Sequence, residues 1–137
     1  TYFGRLWLGQ AHGWDRYIAA MLGSLDGIRR EMGTYTRPIV SHAYVAPGDM
    51  FDAHSYSKGA WVLHALRGYL DDDALFWAGI RAWVRDHAHR MVETAELRRT
   101  FEDATGRDLG RFFEQWLYRA GLPELDVTYS WDRVAGC

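Results

Sequence analysis

The sequence has 137 residues, a formal net charge of −2 at pH 7, 48% hydrophobic residues and 25% charged residues, values that are typical of a globular domain and argue against disorder or a fibrous repeat. Acidic and basic residues are interleaved without a block of lysine or arginine, so no nucleic-acid partner is indicated, and no segment approaches the roughly 18 apolar residues of a membrane span. The only cysteine, Cys137, excludes an internal disulfide and a cysteine metal cluster.

Two amphipathic helices are predicted in the first part of the chain. Apolar residues recur at helical spacing from Tyr2 to about Gly9, and again from about Trp14 to Arg30. The sequence begins at Thr1 without an initiator methionine or a capping residue, and its first residues have the pattern of a helix interior. We therefore interpret the chain as a fragment of a longer protein.

A long connecting segment and a buried helix are predicted next. The helical periodicity disappears between Gly33 and Ala53, where two prolines and a Gly-Asp pair interrupt the chain. A helix follows from about Tyr56 to Leu70. Its residues are apolar on nearly every side, which is typical of a helix buried among others.

Three further helices are predicted between residues 74 and 120. Each begins at a residue that can cap its first turn, and the last two end at a glycine. They run from about 74 to 87, from 95 to 104 and from 109 to 120. Their candidate caps and stops are Asp71 to Asp73, Thr94 with Gly106, and Asp108 with Gly121.

The pattern changes after Pro123. Apolar and polar residues alternate from Leu125 to Tyr129, which predicts a half-buried strand. Because a single strand has no partner here, we interpret it as the start of a following β domain. The predicted fold is therefore mainly α, with a helical domain at residues 1–122 and the truncated start of a β domain at residues 123–137.

One segment resembles a known enzyme family. The residues Tyr-Ser-Lys-Gly-Ala, from Tyr56 to Ala60, resemble the Tyr-x-Lys-Gly-Ala stretch of the M1 (gluzincin) zinc aminopeptidases, which include membrane alanyl aminopeptidase. Segments at 94–101, 105–109, 112–117 and 121–123 match the same family in the same order. The resemblance implies that the chain is the helical C-terminal half of a thermolysin-like catalytic domain.

The resemblance also implies a catalytic residue and a cofactor. Tyr56 lies at the position of the family's catalytic tyrosine, which donates a hydrogen bond to the scissile carbonyl oxygen when water bound to Zn²⁺ attacks a peptide. The family's zinc ligands belong to a His-Glu-x-x-His helix and an Asn-Glu-Gly element, both upstream of Thr1. No zinc ligand is therefore expected in this chain. The implied partners are a peptide substrate and the remaining domains of the same protein.

Five other residues receive structural interpretations. His54 could face a substrate from an extended segment, but we favour a solvated loop histidine. Lys58 is interpreted as a partly exposed base in a first helical turn, and Gly59 as a glycine at a close helix approach. His87 and His89 would diverge on a helix and lack a third ligand, so metal binding is not expected there.

Two functions are compatible with these patterns. The first is part of a zinc metalloaminopeptidase that releases N-terminal residues from peptides, with the isolated fragment inactive because it lacks the zinc ligands. The second is a non-catalytic helical scaffold or interaction module with the same fold. A His-Glu-x-x-His motif encoded upstream, followed by a glutamate, would favour the first, and its absence would favour the second.

Overall fold

The computed structural model describes residues 1–123 and 126–130, and all regular secondary structure in these residues is helical. The mainly α class predicted from the sequence is confirmed. The α-helices are α1 (Tyr2–His12), α2 (Trp14–Met32), α3 (Gly59–Leu70), α4 (Asp73–His87), α5 (Thr94–Thr105) and α6 (Gly110–Phe113). Three short turns complete the helical structure: a 3-10 turn at Pro47–Met50 and π-helical turns at His54–Lys58 and Glu114–Tyr118.

Helices α1 and α2 form a hairpin that packs on α3. Gly13 joins the two helices with φ 95°, a conformation that favours glycine. The buried Tyr17 hydroxyl lies 2.7 Å from His64 Nδ1 on α3. The indole N–H of Trp61, also on α3, donates to Ser24 Oγ over 3.1 Å. Polar contacts made by Tyr17 and Trp61 therefore fasten α2 to α3 beside the apolar packing.

The core surrounds α3, as its apolar composition predicts. Four α3 residues are buried, and the same cluster includes side chains from α1, α2, α4, α5 and the C-terminal turns. The buried side chains that fill it include Tyr2, Tyr17, Met21, Leu66, Leu70, Phe76, Phe101, Leu109 and Phe113. None of the described helices combines the length and the apolar character that crossing a membrane requires.

The contact between α4 and α5 is close because of one glycine. A Cβ atom added to Gly79 would lie 2.5 Å from the ring of Phe101, well inside the distance of a normal van der Waals contact. Phe101 is fully buried, and its ring centroid lies 6.0 Å from that of Phe76. The missing side chain at Gly79 thus makes room for the ring that fills the α4–α5 interface.

The predicted helix caps are confirmed in part. Asp72 Oδ1 accepts two backbone hydrogen bonds in the first turn of α4, at 2.7 and 3.2 Å. Gly106 ends α5 with φ 66°, as predicted. Thr94, however, is not the cap of α5. The cap is Glu93, because the Glu96 carboxylate accepts the Glu93 N–H over 2.8 Å and starts the helix one residue earlier.

The last predicted helix is shorter and less regular than expected. Only α6 is α-helical, and the following π-helical turn ends at Tyr118 rather than Ala120, because Arg119 adopts an extended conformation with φ −103°. Asp108 Oδ1 accepts the N–H of Gly110 over 2.9 Å, so the predicted capping aspartate does bind the helix start. The aromatic pair of α6 is buried in the core, as its spacing predicts.

Residues 126–130 have no regular secondary structure, so the strand predicted from Leu125 to Tyr129 is not formed in this part of the chain. A strand requires a neighbour for its ladder hydrogen bonds, and the described residues contain no strand that could supply them. Residues 124–125 and 131–137 lie outside the described residues. The following β domain stays a prediction.

Candidate active site

Tyr56 lies on the turn that leads into α3. This turn is π-helical, because the N–H of Lys58 donates to the carbonyl oxygen of Ala53, five residues back, over 2.8 Å. Tyr56 is 47% exposed, and its ring centroid lies 5.8 Å from that of Phe51. Short π-helical segments are frequent at functional sites, since the extra residue changes the direction of a side chain. Here the turn leaves the phenol at the surface of the described part of the chain.

An apolar groove borders Tyr56. It has a cavity volume of about 320 Å³, and Leu63, Phe113 and Leu117 are among its lining residues. Gly59 also lines it, and a Cβ atom added there would meet no atom within 4 Å. The expectation that Gly59 allows a close helix approach is therefore wrong, because it faces this open groove. The groove can accept an apolar group next to the phenol.

Asp52 holds the beginning of the turn. Its Oδ1 accepts the Ser55 N–H over 2.8 Å and Arg37 Nη2 over 2.6 Å. Its Oδ2 accepts Arg37 Nε over 2.8 Å and the Tyr35 hydroxyl over 2.7 Å. The Asp52 carbonyl oxygen accepts the Tyr56 N–H over 3.1 Å. The aspartate and arginine side chains are 7% and 12% exposed, so this bidentate ion pair is largely shielded from water.

The hydrogen bonds around Asp52 determine its charge. Burial alone would raise the pKa of Asp52, but the hydrogen bonds from Arg37, the Ser55 N–H and Tyr35 lower that pKa to about 2. The same contact acts on the tyrosine, because the hydrogen bond to the Asp52 carboxylate raises the pKa of Tyr35 to about 12. At neutral pH the aspartate is therefore ionised and the phenol of Tyr35 is neutral.

His54 is buried, so the solvated loop histidine favoured by the sequence is wrong. Only 1% of the residue is exposed, because the π-helical turn folds its ring against the C-terminal end of α2. Its Nδ1 lies 2.9 Å from Glu31 Oε2 and 3.5 Å from Asp52 Oδ2. Neither ring nitrogen has a well-aligned hydrogen-bond partner among the described residues. The ring therefore belongs to the packing behind the turn, away from the groove.

Glu31, Asp52 and His54 bring three potential metal-binding atoms within 4.8 Å of one another. Their surroundings do not fit a catalytic zinc ion. Four donors already occupy the two Asp52 oxygens, and two of these donors belong to the guanidinium of Arg37, which places a positive charge beside the cluster. Its two carboxylates are better described as supports for the turn, because Asp52 pairs with Arg37 and Glu31 Oε2 accepts the backbone N–H of His54.

Lys58 is buried, whereas the sequence suggested a partly exposed base. Only 2% of the residue is exposed, because the turn directs its side chain toward the end of Glu114–Tyr118. There its Nζ donates to the carbonyl oxygen of Arg119 over 3.2 Å. Burial lowers the pKa of Lys58, and the positive charge of Arg37 lowers it further. The residue thus ties the Tyr56 turn to the C-terminal segment.

Of the two histidines considered as ligands, His87 is the last residue of α4 and His89 lies in the turn that follows it. The ring of His87 stacks on Trp83 with a centroid distance of 4.3 Å. His89 has φ 60° in the bend that follows the helix. Neither residue belongs to a group of metal-binding atoms in residues 1–123 and 126–130.

Sequence patterns did not identify Arg37 and Asp52 as part of the site. They lie 15 residues apart in an irregular segment, where no periodicity relates them. Asp52 did carry a usable signal, since an aspartate three residues before Ser55 and just ahead of a helix is a typical capping arrangement. Arg37 carried none, because its role depends on how the loop folds back.

Comparisons with known proteins give a consistent result. Residues 2–116 match the sequence model described as the peptidase family M1 domain. Tricorn protease-interacting factor F2 of Thermoplasma volcanium is 32% identical over 85 residues, which cover 62% of this chain and 11% of that protein. Aminopeptidase M1 of Arabidopsis thaliana is 28% identical over 113 residues, or 80% of this chain and 13% of that protein.

Aminopeptidase N of Streptomyces lividans is 35% identical over 81 residues, which cover 56% of this chain and 9% of that protein. The chain therefore spans 9% to 13% of the length of these three curated relatives. No solved structure gives a significant match.

Proposed function

The chain belongs to peptidase family M1, and on this basis we propose that it is the tyrosine-bearing part of a zinc aminopeptidase that releases N-terminal residues from peptides. The family match covers most of the helical structure. Two of the relatives described above are named aminopeptidases, which supports a peptide substrate. The observation that carries the proposal is the exposed Tyr56 phenol beside an apolar groove, on a turn held by buried ionic contacts.

In this proposal, Tyr56 stabilises the transition state. Negative charge develops on the carbonyl oxygen of a peptide when a nucleophile attacks its carbon, and a donor placed at that oxygen lowers the barrier. A tyrosine phenol is neutral at pH 7 and can donate without first gaining a proton. The ring is about half exposed, so a substrate carbonyl can approach its hydroxyl.

We propose that the zinc ligands lie outside the described residues. The family is generally zinc-dependent, but two of the three donors that converge in the described part of this chain, Glu31 and Asp52, already accept backbone hydrogen bonds from the turn. Residues 1–122 would then form the C-terminal half of the catalytic domain, and residues 123–137 would begin a β domain. The contribution of this chain to the chemistry is the phenol.

The exposed apolar side chains of α1 and α2 favour the presence of a partner that covers these two helices. They recur one helical turn apart on each helix, and their exposed fractions range from 39% to 62%. These residues are Phe3, Trp7, Trp14, Ile18 and Leu22. Stripes of this kind are normally buried against another element. We assign this role to the remaining part of the catalytic domain of the same protein.

Hydrolysis of aminoacyl chromogenic amides by the intact protein tests the proposed function. An aminopeptidase should release the chromophore, lose this activity in the presence of a metal chelator and regain it when zinc is added. A protein that binds zinc but hydrolyses no aminoacyl amide, or that binds no zinc, would instead be the helical scaffold considered from the sequence.

A further inference from the structure

We propose that Arg37 and Asp52 act as a positioning pair that fixes the direction of the Tyr56 phenol. This inference rests on the proposed catalytic role of Tyr56. Asp52 contacts the tyrosine through the backbone, because its carbonyl oxygen accepts the Tyr56 N–H over 3.1 Å. Its side chain also caps the turn, since Oδ1 accepts the Ser55 N–H over 2.8 Å. Asp52 therefore fixes the backbone of the turn that carries the Tyr56 side chain.

Arg37 connects this turn to the loop that follows α2. Its Nη1 donates to the carbonyl oxygens of Pro38 and Ile39 over 2.8 and 3.1 Å, which fixes the loop around the guanidinium. Its Nε and Nη2 donate to the two oxygens of Asp52, and Nη2 also donates to Ser55 Oγ over 2.8 Å. One planar side chain therefore sets the distance and the angle between two irregular segments.

Residues at the end of α2 and just after it make further hydrogen bonds to Asp52 and to the turn. The Tyr35 hydroxyl, just after the end of α2, donates to Asp52 over 2.7 Å. Glu31 Oε2, within the last turn of α2, accepts the backbone N–H of His54 over 3.2 Å. Because the buried ion pair is bidentate and has these neighbours, rotation of the turn would break several hydrogen bonds together.

The geometry makes the phenol sensitive to the pair. Its hydroxyl is at the end of a rigid side chain, so a small rotation of the turn displaces it by much more than it displaces the backbone. A misplacement of about 1 Å in a catalytic group can cost up to about 10²-fold in rate. Loss of the pair should therefore reduce kcat through Tyr56, whereas a merely structural pair would reduce stability and leave the kcat of the folded protein unchanged.

A double-mutant cycle in the intact enzyme tests this inference. It compares kcat and KM for the parent, Asp52→Asn, Tyr56→Phe and the double variant, with zinc content and thermal unfolding measured for each. We expect Asp52→Asn to lower kcat about tenfold with little change in KM. In the Tyr56→Phe background, the same substitution should lower kcat no further, because the hydroxyl that it misplaces is absent.

Asp86→Asn is the matched control. Asp86 also forms a bidentate pair, with Arg85 Nε at 2.6 Å and Nη2 at 2.8 Å, but this pair lies exposed at the end of α4. Its replacement should leave kcat and KM unchanged. If Asp52→Asn does not fold, Arg37→Lys supplies the same cycle, because lysine keeps the charge but cannot form the planar fork.

The outcomes separate the two claims. An equal loss of kcat from Asp52→Asn in both backgrounds, or no loss in the folded enzyme, overturns the positioning role and leaves the catalytic role of Tyr56 intact. A Tyr56→Phe enzyme with the parent kcat overturns the proposed catalytic role and the positioning role together. Coupling between the two sites, at constant zinc content, is the result that supports the inference.

Discussion

The backbone N–H of Tyr56 donates a hydrogen bond to the carbonyl oxygen of Asp52 over 3.1 Å. The candidate catalytic residue is therefore bonded directly to the residue whose side chain forms the buried ion pair with Arg37. The position of Tyr56 therefore depends on the stability of the loop that Arg37 and Asp52 hold together. It also makes the charge of Asp52 important, because only the carboxylate form can accept the hydrogen bonds of Arg37 and its neighbours.

Asp52 should make the protein sensitive to strong acid. Its pKa falls from the ordinary 3.8 to about 2 in the folded state, so its ionised form stabilises the fold. This stabilisation is complete above about pH 4 and is lost as the pH falls through 2. Asp52→Asn should lower the free energy of unfolding by about 2 kcal/mol at pH 7, because one unit of pKa shift corresponds to about 1.4 kcal/mol. Urea unfolding at pH 7 and pH 3 measures both effects, and a variant as stable as the parent at pH 7 would contradict them.

Gly79→Ala should destabilise the protein through the α4–α5 interface. The added methyl group would lie 2.5 Å from the Phe101 ring, which is buried and cannot move away freely. Overpacking of this kind costs about 1–3 kcal/mol. Gly23→Ala is the control, because a methyl group there meets no atom within 4 Å and should stabilise α2 by about 0.5–1 kcal/mol. Equal unfolding temperatures for Gly79→Ala and Gly23→Ala would contradict this, because they would show that the α4–α5 interface can accommodate a methyl group.

The partial burial of His64 predicts a loss of stability in mild acid. Burial lowers the pKa of His64 below its ordinary 6.5, and the positive charge of Arg67 adds to this effect. The unfolded chain therefore binds the proton more readily than the folded one, so stability falls as the pH drops below 6.5. In His64→Gln this pH dependence should be smaller. Thermal unfolding between pH 8 and pH 5 measures it, and parallel curves for the two proteins would exclude His64 as the cause.

The amino-acid pattern predicted the helices well because their signal is local. The spacing of apolar residues placed α2 from Trp14 and the end of α4 at His87, as observed. The two π-helical turns could not be predicted in this way, since the same residues also fit an α-helix. The burial of Lys58 could not be predicted either, because it depends on a contact with Arg119, which is 61 residues away in the sequence.

Apart from a capping signal at Asp52, the candidate site was predictable only at Tyr56. That residue lies in a short motif with a family resemblance, whereas its support depends on contacts between distant residues. Arg37 reaches Asp52 across 15 residues of irregular chain, and His54 is buried because the turn folds back on Glu31 at the end of α2. Local patterns carry no information about such loop packing.

Replacement of Tyr56 by phenylalanine in the intact protein tests the central claim most directly. The change removes one hydroxyl and keeps the ring against Phe51, so folding and zinc content should be unchanged. Tyr69→Phe is the control, because that ring is similarly exposed, at 58%, but packs against Phe112 at the other end of α3. It should retain the kcat of the parent.

The measurement is kcat and KM for hydrolysis of an aminoacyl amide by the parent, Tyr56→Phe and Tyr69→Phe enzymes. If the Tyr56 hydroxyl stabilises charge mainly in the transition state, its removal should lower kcat by about 10²–10³-fold and leave KM nearly unchanged. A Tyr56→Phe enzyme that keeps most of its kcat, or that loses activity only because it loses zinc or unfolds, would contradict the catalytic role of Tyr56.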